Sequence, residues 1–263
     1  MAASRFLRLY FTIEARAGAL RGPLVGLMAG AAMIAVTHLV VPRLPPTAIS
    51  VLEKSFAIQG PAALLLINDY LALYAALFFA GFAELLRALV APREERHLEL
   101  LLSKPLSPST FVRARAAPVL AAVGLAAAAL GAGLSIAIAP VSSPASATAA
   151  GAFGASLVIG SAVVVQLAAL SPLLVRSRDG FEALIVGFVV WVAPLLPATA
   201  FLYRPDLFEG RPALASALVV PANLIWHDAS MPMLALFAMG LAAALAALLL
   251  AWAGRVLRRT GVG

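Results

Sequence analysis

Six stretches of this chain are apolar for long enough to cross a lipid bilayer, and nothing constrains its fold more than that. They run roughly over 23–41, 62–83, 118–140, 151–175, 182–203 and 232–254. A helix needs about 20 mostly apolar residues to span the hydrocarbon core. Such stretches cannot be absorbed by one soluble core, which must cover itself with polar surface. Composition agrees: 63% of the 263 residues are hydrophobic, 12% are charged, and the mean hydropathy is +1.00. The sequence therefore predicts an all-α polytopic membrane protein, with residues 1–263 forming a single transmembrane domain. A soluble enzyme and a disordered chain are both excluded.

Punctuation at the ends of the stretches supports these limits. The first runs into Val41-Pro42-Arg43-Leu44-Pro45-Pro46, which stops a helix. The second follows Gly60-Pro61 and is expected to close at Glu84 and Arg87. Pro194 and Pro197 predict a kink near the outer end of the fifth. Residues 212–226 are apolar but too short to cross, and Pro221 divides them, so they read as a re-entrant segment in the outer leaflet. Residues 4–17 place Phe6, Leu9, Tyr10 and Ile13 at helical spacing beside Arg5, Arg8 and Arg16. That pattern fits an amphipathic N-terminal helix lying in the interface, or an extension of the first span.

Orientation follows from the basic residues. The N-terminal segment (Arg5, Arg8, Arg16, Arg21), the loop after the second span (Arg87, Arg93, Arg96, Lys104, Arg113, Arg115), the loop after the fourth (Arg176, Arg178) and the C-terminal tail (Arg255, Arg258, Arg259) fall on one side. Arg43, Lys54, Arg204 and Arg211 fall on the other. Basic residues concentrate on cytoplasmic loops, so both termini are expected in the cytoplasm of a multi-pass protein of the cell membrane. The net charge of +7 has this origin rather than nucleic-acid binding.

Most catalytic chemistry lacks its residues. There is no cysteine, and hence no thiol nucleophile or cysteine-ligated metal. His38, His97 and His227 form no metal-ligand spacing. Neither lysine, Lys54 or Lys104, follows the glycines of a phosphate-binding loop. Gly154-Ala155-Ser156 matches the Gly-x-Ser of intramembrane serine proteases, but small residues far more often pack helices. Polar residues inside spans are costly and often functional. Asn68 and Asp69 in the second span and Gln166 in the fourth are the candidates for a translocation pathway, although a helix–helix hydrogen bond is the commoner role. Asp69 stands out, because a carboxylate at that depth must face a partner or water.

The loop between the second and third spans carries the sharpest pattern. Pro92 suits a first helical turn, and Glu94 and Glu95 sit well at a helix N-terminus. Leu98, Leu101 and Leu102 make one apolar stripe, Glu99 lies one turn from Glu95, and Pro105 ends the helix. Ser107 then caps a second helix that has Pro108 at its first position and leads into the third span. A short helix with acidic and leucine faces suits the groove of a partner protein better than an anionic membrane surface.

The segment Arg93-Glu94-Glu95-Arg96-His97-Leu98-Glu99-Leu100-Leu101-Leu102-Ser103-Lys104-Pro105-Leu106-Ser107 resembles the R-E-x-G-T-L-E-x-L-L-S-x-P-L-S loop of type-two ATP-binding-cassette exporter permeases. Arg96-His97 departs from the Gly-Thr usual there. The six-span layout, cytoplasmic termini, N-terminal amphipathic helix and re-entrant segment are similar to that family as well. The resemblance implies a non-catalytic permease subunit of an exporter. Its loop is a cytoplasmic coupling helix that docks through Glu94, Glu95, Leu98, Glu99, Leu101 and Leu102 onto a separate P-loop ATPase, present in two copies. The permease pairs with itself or with a related chain, and substrate passes between the two copies along the second and fifth spans. No cofactor is expected in this chain; ATP and magnesium belong to the ATPase. The alternative from another class is an ion-coupled secondary transporter using Asp69, with an intramembrane enzyme third.

Overall fold

The computed structural model describes residue 12 and residues 21–56, 61–94, 107–141, 145–196 and 232–259. Helix α1 is Arg21–Val40, continued by a 3-10 turn at Val41–Arg43, and α2 is Pro46–Phe56. Helix α3 is Pro61–Leu85; it runs through a π-helical turn, Leu86–Val90, into the short α4, Ala91–Glu94. Then come α5 (Pro108–Ile138), a 3-10 turn (Ala139–Val141), α6 (Ala145–Leu174), α7 (Gly180–Val192) and α8 (Pro232–Arg259). There is no strand among the described residues. Five of these helices (α1, α3, α5, α6 and α8) are long and apolar enough to cross a membrane.

The sequence starts these helices by a repeated device. Proline is the first residue of α2, α3, α5 and α8, where its missing N–H would have no helical acceptor anyway. Ser107 caps α5 by accepting from the Thr110 amide at 3.1 Å. Asp179 caps α7 by accepting from the Glu182 amide at 2.8 Å, while Glu182 reaches back to the Arg178 amide at 2.9 Å. Pro118 and Pro172 lie inside α5 and α6, as lipid-embedded helices tolerate when neighbours cover the freed carbonyls.

Helices α3, α5 and α6 form the centre. Leu73, Leu77 and Phe78 of α3, Val119 and Val123 of α5, and Val163 and Leu167 of α6 are fully buried there. Gly81 of α3 faces Val123 and Leu167, and Gly131 of α5 faces Ser156 of α6. Small residues at these crossings let backbones approach, which is how helices gain contact in lipid. Helix α1 packs on α3, α7 packs across α3 and α6, and α8 lies along α5 and α6.

The contacts fix directions. The Gly22 amide donates to Glu84, so the start of α1 meets the end of α3. Gly254 lies against the Ser109 backbone, so the end of α8 meets the start of α5. One end of the bundle therefore gathers Arg21, Arg87, Arg113, Arg115, Arg176, Arg178, Arg255, Arg258 and Arg259, and the opposite end holds Arg43 and Lys54.

One expectation changes, and one break falls where it was expected. The second span does not close at Glu84 and Arg87: the chain stays helical to Glu94, with one widened turn in which the Ala91 amide bonds to the Leu86 carbonyl. In the fifth stretch the first α-helix runs to Val192, the chain turns at Ala193-Pro194 and is helical again at Leu195 and Leu196, a break where the kink was expected; residues 197–203 lie outside the described residues. Pro194 has no amide to offer and crowds the preceding turn. Thirteen residues make about 20 Å of helix, short of a hydrocarbon core about 30 Å thick. The N-terminal amphipathic helix at 4–17 and the re-entrant segment at 212–226 lie outside the described residues.

Candidate functional site

Three polar or aromatic constellations lie between the helices. The first joins α1 to α3 near the end opposite the arginine-rich one. His38 Nε2 stands 2.7 Å from Asp69 Oδ2. Next to it, the Asn68 amide donates to the Thr37 hydroxyl, which in turn donates to the Met33 carbonyl at 3.0 Å. Asp69 is fully buried, and its other oxygen, Oδ1, has no hydrogen-bond partner among the described residues. The carboxylate expected to need a partner finds one in His38, 31 positions earlier near the end of α1, in a helix–helix hydrogen bond of the kind expected for a polar residue inside a span.

The second constellation ties the same two helices at the arginine-rich end. Glu84 accepts from the Gly22 amide at 3.0 Å and from Arg87 Nε at 2.8 Å. One carboxylate thereby ties the Gly22 amide of α1 to the Arg87 cation in the π-helical turn after α3. Between the two ties, Gly22, Gly26 and Gly30 lie on α3. A Cβ at Gly22 would come within 2.9 Å of the Ala80 carbonyl oxygen, and one at Gly26 within 2.9 Å of the Ala76 carbonyl oxygen. This seam went unread in the sequence, although the four-residue spacing of three glycines is its signal.

The third constellation sits where α3, α6 and α7 meet. The Tyr74 hydroxyl donates to the Trp191 carbonyl at 2.9 Å, and the two rings stack at 6.5 Å between centroids. Phe79 packs on the Trp191 ring at 4.9 Å, and Phe82 lies over Gly187. Gln166 of α6 lies against the Tyr74 phenol, with its amide oxygen buried and without a hydrogen-bond partner among the described residues. Without a Cβ at residue 187, α7 can seat against Phe82 and carry Trp191 onto Tyr74.

The candidate pathway residues are therefore not brought together. Asn68 and Asp69 are turned toward α1, and Gln166 toward the α3–α7 aromatic contact. Among the docking residues, Glu94 ends α4, and Glu95, Leu98, Glu99, Leu101 and Leu102 lie outside the described residues. What is described is their frame: α4 on one side and the Ser107-capped α5 on the other, both at the arginine-rich end. Ser156 donates to the Ala152 carbonyl at 2.8 Å and lies under Gly131, which is a packing role. Among the described residues no three His, Asp or Glu side chains group as a metal site would require.

No family model, curated protein or solved structure matches this chain.

Proposed function

We propose that the chain is the membrane permease subunit of an ATP-driven exporter of the type-two ATP-binding-cassette class. The observation that carries this reading is the segment from Arg93 to Ser107, with its acidic and leucine faces. It joins two helices at the arginine-rich end of the bundle, where a cytoplasmic ATPase would meet it. Docked in an ATPase groove, the segment is a lever. ATP closes two ATPase subunits, the grooves move, and the motion enters the bundle through α4 and α5. This chain performs no covalent step in that cycle, and ATP and magnesium stay in the partner.

The continuity of α3 into α4 suits such a lever, because no flexible hinge separates the span from the loop. Six crossings with both termini in the cytoplasm belong to the same reading. Helix α6 ends at the arginine-rich end and α8 begins at the opposite one, which supports a crossing between them. The contact of α7 with α3 is in keeping with a pathway along the second and fifth spans, between two copies of the chain.

The test is association. Leu98→Asp puts an unpaired charge into a buried contact and is expected to weaken ATPase binding by several kcal/mol. Glu95→Lys reverses a charge suited to a basic groove and is expected to weaken or uncouple it. The measurement is pull-down of the P-loop ATPase partner, normalised to membrane-resident permease. Undiminished capture by correctly inserted Leu98→Asp protein, with transport-linked ATP hydrolysis intact, overturns the docking role.

A further inference from the structure

A crevice opens between α5 and α8 with α6 as its floor. It holds about 800 Å³ and is walled by small and aliphatic side chains, among them Ala121, Gly124 and Ala128 of α5 and Ala243 and Ala247 of α8. Its shape has a local cause. At the arginine-rich end α8 presses Gly254 onto the backbone of Ser109, and beyond that contact the two helices part. A Cβ placed on Gly124 would meet nothing within 4 Å. The lining on α5 extends from Arg113 to Ala128, about 22 Å of helix, which is somewhat deeper than one leaflet of a core about 30 Å thick.

Arg113 is the one charged residue of the lining. It is exposed, stands at the arginine-rich end of the crevice, and forms no ion pair among the described residues. Three carboxylates near that end are engaged elsewhere: Glu84 by Arg87 and the Gly22 amide, Asp179 and Glu182 by the cap of α7. Arg258 lies one turn beyond Gly254 and adds positive charge at the same end. An apolar slot about a leaflet deep, headed by a guanidinium with no ion pair among the described residues, matches a molecule with hydrocarbon below and a negative charge above. A helix from a second copy matches less well. The outward-facing residues of α1 and α8, such as Met28, Val36, Leu241 and Leu248, are apolar and bring no carboxylate to Arg113.

We propose that this crevice binds one anionic phospholipid, its acyl chains lying between α5 and α8 and its phosphate held by Arg113. The assignment stands independently of the exporter reading, since it needs only the membrane-embedded bundle. The guanidinium supplies a paired donor fork to the phosphate oxygens, and the slot supplies chain contact that a free phosphate ion lacks.

The experiment is native mass spectrometry of the purified full-length chain, delipidated in detergent and titrated with dioleoyl phosphatidylglycerol or dioleoyl phosphatidylcholine. One phosphatidylglycerol per chain is expected to bind at least about fivefold more tightly than phosphatidylcholine, the factor one basic residue near an anionic headgroup contributes. Arg113→Gln is expected to erase the preference and Arg113→Lys to keep part of it. Gly124→Leu, which fills open space, is expected to weaken both lipids while leaving the melting temperature unchanged. Equal binding of the two lipids, or a preference that survives Arg113→Gln, overturns the proposal. So does displacement of phosphatidylglycerol by millimolar inorganic phosphate. Loss of self-association in Gly124→Leu with lipid binding unchanged overturns it too, and assigns the crevice to a second copy of the chain.

Discussion

His38 and Asp69 are the pair whose removal should be felt most. Each is held by the other within the α1–α3 contact, and Asp69 has no route to water. His38→Ala leaves a buried carboxyl without its hydrogen-bond partner and is expected to cost about 1–3 kcal/mol, the range for a buried polar group left unsatisfied. His38→Ala combined with Asp69→Leu is expected to recover most of that loss, because two apolar groups replace both partners. Thermal unfolding in detergent reads both variants, and a double variant no more stable than the single one would show that the pair is not the source of the cost. Asp69→Asn separates two functions. In an ATP-driven exporter it should leave transport running, since the carboxylate only binds α1 to α3. Loss of transport with normal folding and normal ATPase capture would instead favour the ion-coupled carrier.

At the level of elements, the α1–α3 seam is the most exacting contact. Helix α1 exposes Leu24, Val25, Met28, Val36 and Leu39, and its own buried residues are few: Pro23, Gly26, Gly30, Ile34 and Thr37. The helix is thus held by close backbone approach and by polar ties at its two ends. Gly26→Leu forces a side chain into the Ala76 and Ala80 turn and is expected to cost at least about 1–3 kcal/mol, the usual penalty of overpacking. Gly133→Leu is the control, because a Cβ there meets nothing within 4 Å. Matched unfolding midpoints for the two variants would refute a packed seam. Helix α7 follows a related logic: its exposed Phe181, Leu184, Ile185 and Val189 face outward, and one glycine seats it on Phe82.

For the whole molecule, the distribution of charge sets the prediction. The arginine-rich end should face the cytoplasm, because the opposite end carries only Arg43 and Lys54 among the described basic residues. A reporter fused at the C-terminus is expected on the cytoplasmic side, and one inserted at Ser142, between α5 and α6, on the other. Equal readouts at the two positions would remove both the six-crossing layout and the inferred placement of the loop from Arg93 to Ser107. The bundle accounts for the composition as well. The exposed residues of α1, α7 and α8 are large and apolar, which suits lipid and would aggregate in water.

The sequence by itself determined the class of the protein, the existence of the long helices and much of their punctuation. Apolar length is a local property, and so are proline at a first turn and the cap at Ser107, so each is legible without knowing any neighbour. The acidic and leucine faces expected between Arg93 and Ser107 come from the same kind of local spacing, on residues that lie for the most part outside the described ones. Tertiary structure alone decided which helices touch. Nothing local pairs His38 with Asp69 across 31 positions, ties Glu84 to Gly22, or sets Trp191 on Tyr74. The crevice belongs to the same class: it exists because α8 meets α5 at Gly254 and then diverges, which is a property of two helices and of neither alone. The end of α7 at Val192 lies between the two cases. Pro194 was visible and predicts a break, which the turn at Ala193-Pro194 shows, while Trp191 just before it is placed by its contact with Tyr74.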